Sequence, residues 1–189
     1  MRSKSMRLKE KYEKEVIPKM MEIFGFENKM EVPKVEKVII NCGFGKLVAG
    51  KSEKEKEEII KNIVHDLSMI TGQKPILTRA KESISAFKIK KGEEIGAKVT
   101  LRRKRMYDFL ERLINIGLPR SRDFKGVEKS WFDQSGNLNI GIKEQIAFPE
   151  VSPEETKFIF GFQVTIVTNA KKREHAIELM KLLGFPIKE

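Results

Sequence analysis

The chain has 189 residues and carries 38 Lys and Arg against 27 Asp and Glu, a net charge of +11. Its 40% hydrophobic content is enough for a packed core, which excludes intrinsic disorder as the main state. No apolar run approaches the roughly 18 residues of a membrane span, residues 1–19 lack the apolar stretch of a signal peptide, and the single cysteine, Cys42, excludes an internal disulfide.

Leu8, Tyr12, Val16, Met20 and Ile23 recur every three or four residues and predict a helix that stops at Gly25, with a kink or break at Pro18. Residues 35–41 (VEKVIIN) are short and β-branched, the mark of a strand. After a glycine-bearing loop, Ser52 and Glu55 make a capping box. Ile59, Ile63, Leu67 and Ile70 then line one face of a helix that ends at Gly72. From Lys74 to Arg102 the period changes to two. Ala97, Val99 and Leu101 alternate with Lys98, Thr100 and Arg102, and Phe87 and Ile89 alternate with Lys88 and Lys90, with a turn at Gly92 and Glu93. A third helix carries Tyr107, Leu110, Leu113 and Ile114, and Gly117 and Pro119 are expected beyond its end. A hairpin around residues 131–142, a strand over 160–168 and a closing helix over 171–183 complete the chain.

Consecutive strands with short turns pair antiparallel, so the fold class is α+β, with a single antiparallel sheet and helices packed on one face. With no fixed repeat and no long linker, residues 1–189 are expected to form one domain, with the helix over 5–24 appended. The lone cysteine and the absence of a leader suit a cytoplasmic protein.

The charge is unevenly placed. Residues 71–105 hold eleven Lys and Arg against three acidic residues, a block of +8, whereas residues 106–189 are neutral overall. Lys88, Lys90, Lys98, Thr100 and Arg102 share one sheet face in this reading, and Arg79, Lys81, Ser83 and Ser85 lie in the loop before them. Clustered cations with hydroxyls suit phosphates and riboses, and outward aromatics for base stacking are few.

A competing motif is present. Residues 45–52 (GKLVAGKS) match the phosphate-cradling pattern G-x-x-x-x-G-K-[ST] from Gly45 to Ser52, between a strand and a helix, so a nucleotide-binding kinase or NTPase is the alternative function. Against it stand the missing strand–helix alternation, the lack of a later strand ending in a magnesium-binding Asp, and the crowd of Glu53, Glu55, Glu57 and Glu58 at the helix start. His65, His175 and Cys42 show no metal-ligand spacing, and no cofactor, metal or catalytic residue is expected.

Residues 71–113 (TGQKPILTRAKESISAFKIKKGEEIGAKVTLRRKRMYDFLERL) resemble the core signature of the large-subunit ribosomal protein five family. VIINCGFG at residues 38–45, LINIGLPRSRDFKG at 113–126, FDQSGNLNIGIKEQIAFPE at 132–150 and VTIVTNAK at 164–171 extend the resemblance from about residue 6 to the C-terminus, and the GIKEQIAFPE run looks bacterial. The resemblance implies a non-enzymatic protein whose exposed sheet lies against 5S rRNA in the central protuberance, beside large-subunit rRNA. The matching positions are Asn41 and Gly43, then Gln73, Lys74 and Thr78, then Phe87, Lys88, Gly96, Lys98, Thr100 and Arg102. It also implies that the loop over residues 79–87, with Arg79, Ala80, Lys81, Ser83 and Ser85, reaches toward the P-site tRNA. Residues 120–142 would face the small-subunit head and its proteins across an intersubunit bridge. Ser121, Gly117, Arg103 and Lys104 depart from the usual pattern. A nucleic-acid-binding module outside the ribosome is a third reading.

Overall fold

The structure is a computed structural model that describes residues 7–83, 89–122, 124–154 and 156–188. Its helices and strands run in the order α1 (Leu8–Lys11), a π turn (Tyr12–Val16), α2 (Ile17–Phe24), β1 (Val35–Gly43), α3 (Gly45–Val48), α4 (Glu53–Thr71), β2 (Ile76–Arg79), β3 (Glu94–Leu101), α5 (Arg103–Arg112), a second π turn (Leu113–Gly117), α6 (Leu118–Arg120), β4 (Leu138–Ile142), β5 (Phe162–Thr168) and α7 (Arg173–Leu183).

The strands form one antiparallel sheet in the order β2-β3-β1-β5-β4. Period-two alternation decides which side is sealed. Val38, Ile40 and Cys42 of β1, Ala97, Val99 and Leu101 of β3, and Val164 and Ile166 of β5 are all buried. They meet Ile63 and Leu67 of α4, Phe109 and Leu110 of α5, and Leu179 and Met180 of α7 in one core, so the helices cover a single face. The N-terminal helix enters the same core through Leu8, Tyr12, Val16 and Met20. Tyr12 donates its hydroxyl to the Pro33 carbonyl at 3.1 Å, and Lys11 reaches the Leu183 carbonyl at the end of α7 at 3.1 Å.

Helix ends follow local chemistry. Ser52 caps α4 by donating its N–H to the Glu55 carboxylate at 2.9 Å and its hydroxyl to the same oxygen at 2.6 Å. Gly72 closes that helix with φ +67°, a left-handed conformation that side chains oppose.

Two expectations change. Pro18 neither breaks nor ends its helix, because a π turn directly precedes α2 and shifts the hydrogen-bond register where the ring would otherwise meet the preceding turn. The third helical run does not stop before Gly117. It passes through the second π turn to Arg120, with Pro119 in the first turn of α6. A Cβ on Gly117 would lie 2.9 Å from the Phe148 ring, so this glycine serves packing rather than termination. On the edge away from β1, β3 pairs with β2, extended by Ala80, whose N–H and C=O pair with Glu93 and Gly92. The strand expected around Phe87 and Lys88 lies outside the described residues.

Two predictions come from this packing. Gly117→Ala gains about 1 kcal/mol of helix propensity, but its methyl must displace Phe148, which is fully buried and stacked on Phe109 at 5.9 Å. Overpacking of this kind costs about 1–3 kcal/mol, so urea unfolding should show a net loss. The Cys42 thiol is fully buried, and burial pushes its pKa up to about 12. A thiol reagent at pH 8 should therefore label Cys42 only in denaturant; rapid labelling of the native protein would contradict this burial.

Candidate nucleic-acid interface

The open face repeats the alternation with the opposite residues. Register places Ile76, Lys98, Asn41, Gln163 and Gly141 in one row across β2, β3, β1, β5 and β4. The next row holds Thr100, Ile39, Thr165 and Asn139, and on the other side Thr78, Gly96 and Gly43 align. Arg102 follows β3 directly, and Lys74 precedes β2; both are exposed. These open-face positions carry no aromatic ring, so base stacking has no platform there.

Nine of the seventeen sequence-expected positions are thus gathered in or beside this surface: Asn41, Gly43, Gln73, Lys74, Thr78, Gly96, Lys98, Thr100 and Arg102; Lys90 lies instead at the base of the loop beside α4. Their environments differ. Lys74, Lys98 and Arg102 have no acidic partner among the described residues, whereas Lys56, Arg112, Lys157 and Lys188 are each paired with a glutamate away from this face. Gln73 is a brace. Its Nε2 donates to the Thr100 carbonyl at 3.4 Å, and its Oε1 accepts from Arg105 at 3.4 Å. Gly96 is required by the sheet, since a Cβ there would lie 2.6 Å from Thr78 Oγ1 and 2.9 Å from the Cys42 carbonyl oxygen.

Beyond β2 the described ends of the loop over residues 79–93 are clamped together. Lys56 of α4 binds Glu93 at 2.5 Å, and the Lys90 N–H donates to the other oxygen of that carboxylate at 3.0 Å. The Lys56 contact and then the Lys90 N–H hold Glu93 below the usual carboxylate range. Arg79 and Lys81 are exposed, Arg79 pairing with Glu94 at 3.2 Å, and Ser83 accepts the Lys91 N–H at 2.9 Å. Ala80, expected at the tip, is buried at the base with both backbone groups paired, so it holds the loop instead of offering a side chain. Ser85, Phe87 and Lys88 lie outside the described residues.

Sequence reading missed the β5–β4 side of the face, namely Asn139, Gln163 and Thr165. The alternation within FQVTIVT held the signal, but the register that sets it beside Asn41 joins distant segments.

The phosphate-loop motif folds into something else. Residues 45–48 form the single turn α3, in which the N–H groups of Leu47 and Val48 donate to the Phe44 carbonyl and that of Ala49 to Gly45. The Lys51 N–H donates to Val48, and its ammonium lies 5.6 Å from the centre of the Phe158 ring. These donors are engaged within the chain, so they do not form a cradle for phosphate.

A sheet sealed by helices on one side and bearing unpaired cations on the other has the build of a nucleic-acid-binding protein. The Ribosomal protein L5 family matches residues 28–90, and the C-terminal region of the same ribosomal family matches residues 94–187. A large ribosomal subunit protein uL5 from Caldanaerobacter subterraneus subsp. tengcongensis is 53% identical over 180 residues, covering 95% of this chain and 97% of its own. Those of a Thermoanaerobacter species (54% over 180 residues, the same coverage) and of Halothermothrix orenii (50% over 182 residues, 96% and 98%) are similar. The chain belongs to the ribosomal protein L5 family, in its bacterial form. It is a large-subunit ribosomal protein of the bacterial cytoplasm and not an enzyme. No helix among the described residues is long and apolar enough to cross a membrane.

The folded motif yields a prediction. Lys51→Ala should leave RNA binding unchanged, and Ser52→Ala should lose about 1 kcal/mol through the helix cap. Thermal stabilisation by magnesium-ATP that disappears with Lys51→Ala would show a working nucleotide site instead.

Proposed function

We propose that the open face binds 5S rRNA and helps attach it to the large-subunit rRNA of the central protuberance. The observation that carries this reading is the set of exposed cations Lys74, Lys98 and Arg102, with no acidic partner among the described residues, beside the uncharged Asn41 and Thr100. A phosphate backbone supplies the anions these side chains lack, and the amide and hydroxyl suit sugar or base edges. The loop over residues 79–93, with Arg79 and Lys81 exposed, contacts the backbone of P-site tRNA. The Arg79–Glu94 pair is solvent-screened and weak enough to be exchanged for a phosphate contact. Residues 120–142, with Arg120, Arg122, Lys125 and Lys129 exposed, form the intersubunit bridge to a protein of the small-subunit head.

Filter binding of 5S rRNA across a salt series tests the central claim. Lys98→Ala and Arg102→Ala should each weaken binding and lower the slope of log K against log salt by about one unit. Asn41→Ala should weaken it at unchanged slope. Salt-independent binding would refute the proposal. For the loop, a Gly/Ser linker in place of residues 81–85 should spare 5S binding while ribosomes lose P-site tRNA more readily as salt rises. Loss of 5S binding with tRNA retention unchanged would assign the loop to rRNA.

A further inference from the structure

The cations account for only one side of the open face. On β5 and β4 its positions carry Gln163, Thr165, Asn139 and Gly141, all uncharged. Three of them are tied together: Asn139 Oδ1 accepts the Thr165 hydroxyl at 2.7 Å and Gln163 Nε2 at 3.2 Å. These bonds orient both amides and use neither Asn139 Nδ2 nor Gln163 Oε1, so a donor and an acceptor remain for a ligand.

Gly141 sits directly opposite Gln163. Its φ lies outside the left-handed region, and a Cβ built on it meets nothing within 4 Å; Gly43 on β1 is the same. Neither backbone conformation nor packing within the chain requires these two glycines, although glycine weakens a strand. A strand glycine marks a bulge, a bend or a close approach to the backbone, and the unbroken register at Gly141 and Gly43 leaves the close approach.

We infer that the β5–β4 side of the sheet receives the ribose edge of an RNA strand, with Gly141 and Gly43 admitting the sugar close to the backbone and Asn139 and Gln163 hydrogen-bonding 2′-hydroxyls. The inference rests on the 5S rRNA binding proposed above and divides that interface by chemistry. Lys98 and Gly141 are three strand spacings apart in one row, roughly 14 Å, so phosphate and sugar contacts fall on neighbouring parts of one bound RNA. The wide, shallow minor groove of an RNA helix presents 2′-hydroxyls in this way.

The test uses the full chain, 5S rRNA filter binding over a salt series, and urea unfolding. Gly141→Val places its side chain in open space, so the urea midpoint should not fall while 5S affinity falls at least tenfold. Gly141→Ala should show a smaller loss of affinity in the same direction. Gln163→Lys separates sugar from phosphate: above a ribose edge it should weaken binding several-fold despite the added charge. Stronger binding with a steeper salt slope would place phosphate there and overturn the inference. Wild-type affinity in both Gly141 variants would also overturn it while leaving 5S binding by the cation side intact. Failure of the unaltered chain to bind 5S rRNA would instead refute the function on which it rests.

Discussion

The composition of the open face depends on the seal beneath it. Val38, Ile40 and Cys42 point into the core from the central strand, and their neighbours on β3 and β5 do the same. Because strand side chains alternate sides, burying these residues presents Ile39, Asn41 and Gly43 on the other side. A slip of one residue in register would drive Asn41 and Lys98 into the apolar layer. Hydrophobic burial therefore does more than stabilise the sheet. It sets which polar groups stand in a row, and at what spacing.

Charge is allocated by the same division. Away from the open face several cations are paired with carboxylates: Lys56 with Glu93, Arg112 with Glu150, Lys157 with Glu58. Lys74, Lys98 and Arg102 have none among the described residues. Exposed pairs add little stability, so the pairing has more to do with placement. The Lys56–Glu93 contact joins α4 to the base of the loop after β2, and the same carboxylate fastens Lys90.

What could be read from the sequence was what neighbouring residues decide. Ser52 and Glu55 are three positions apart and needed only each other. The alternation through Val99 and Thr100 needed only the strand's own pleat. Gly117 was misread as a helix stop because its real reason, the Phe148 ring, comes from a distant stretch of chain. The motif from Gly45 to Ser52 failed likewise, since its letters do not say that Phe44 is buried and that its carbonyl takes the donors of α3. Gly141 and Gln163 became significant only when register set them across from one another.

The two π turns bear on how a helix can lie straight along a core. Leu8, Tyr12, Val16 and Met20 are spaced by four, and in a regular α-helix each such step overshoots a full turn by about 40°. Three steps would wind this apolar line about a third of the way around the cylinder, and one end would leave the core. A wider turn at Tyr12–Val16 takes up the excess, and all four side chains stay buried. Phe109, Leu113 and Gly117 repeat the spacing in the second helical run, again at a π turn. Each turn acts as a leap day in a calendar of 3.6, one added residue that brings the count back into phase. Removing that residue would leave a regular α-helix with eleven residues over about three turns, so its two halves would still face the same neighbours.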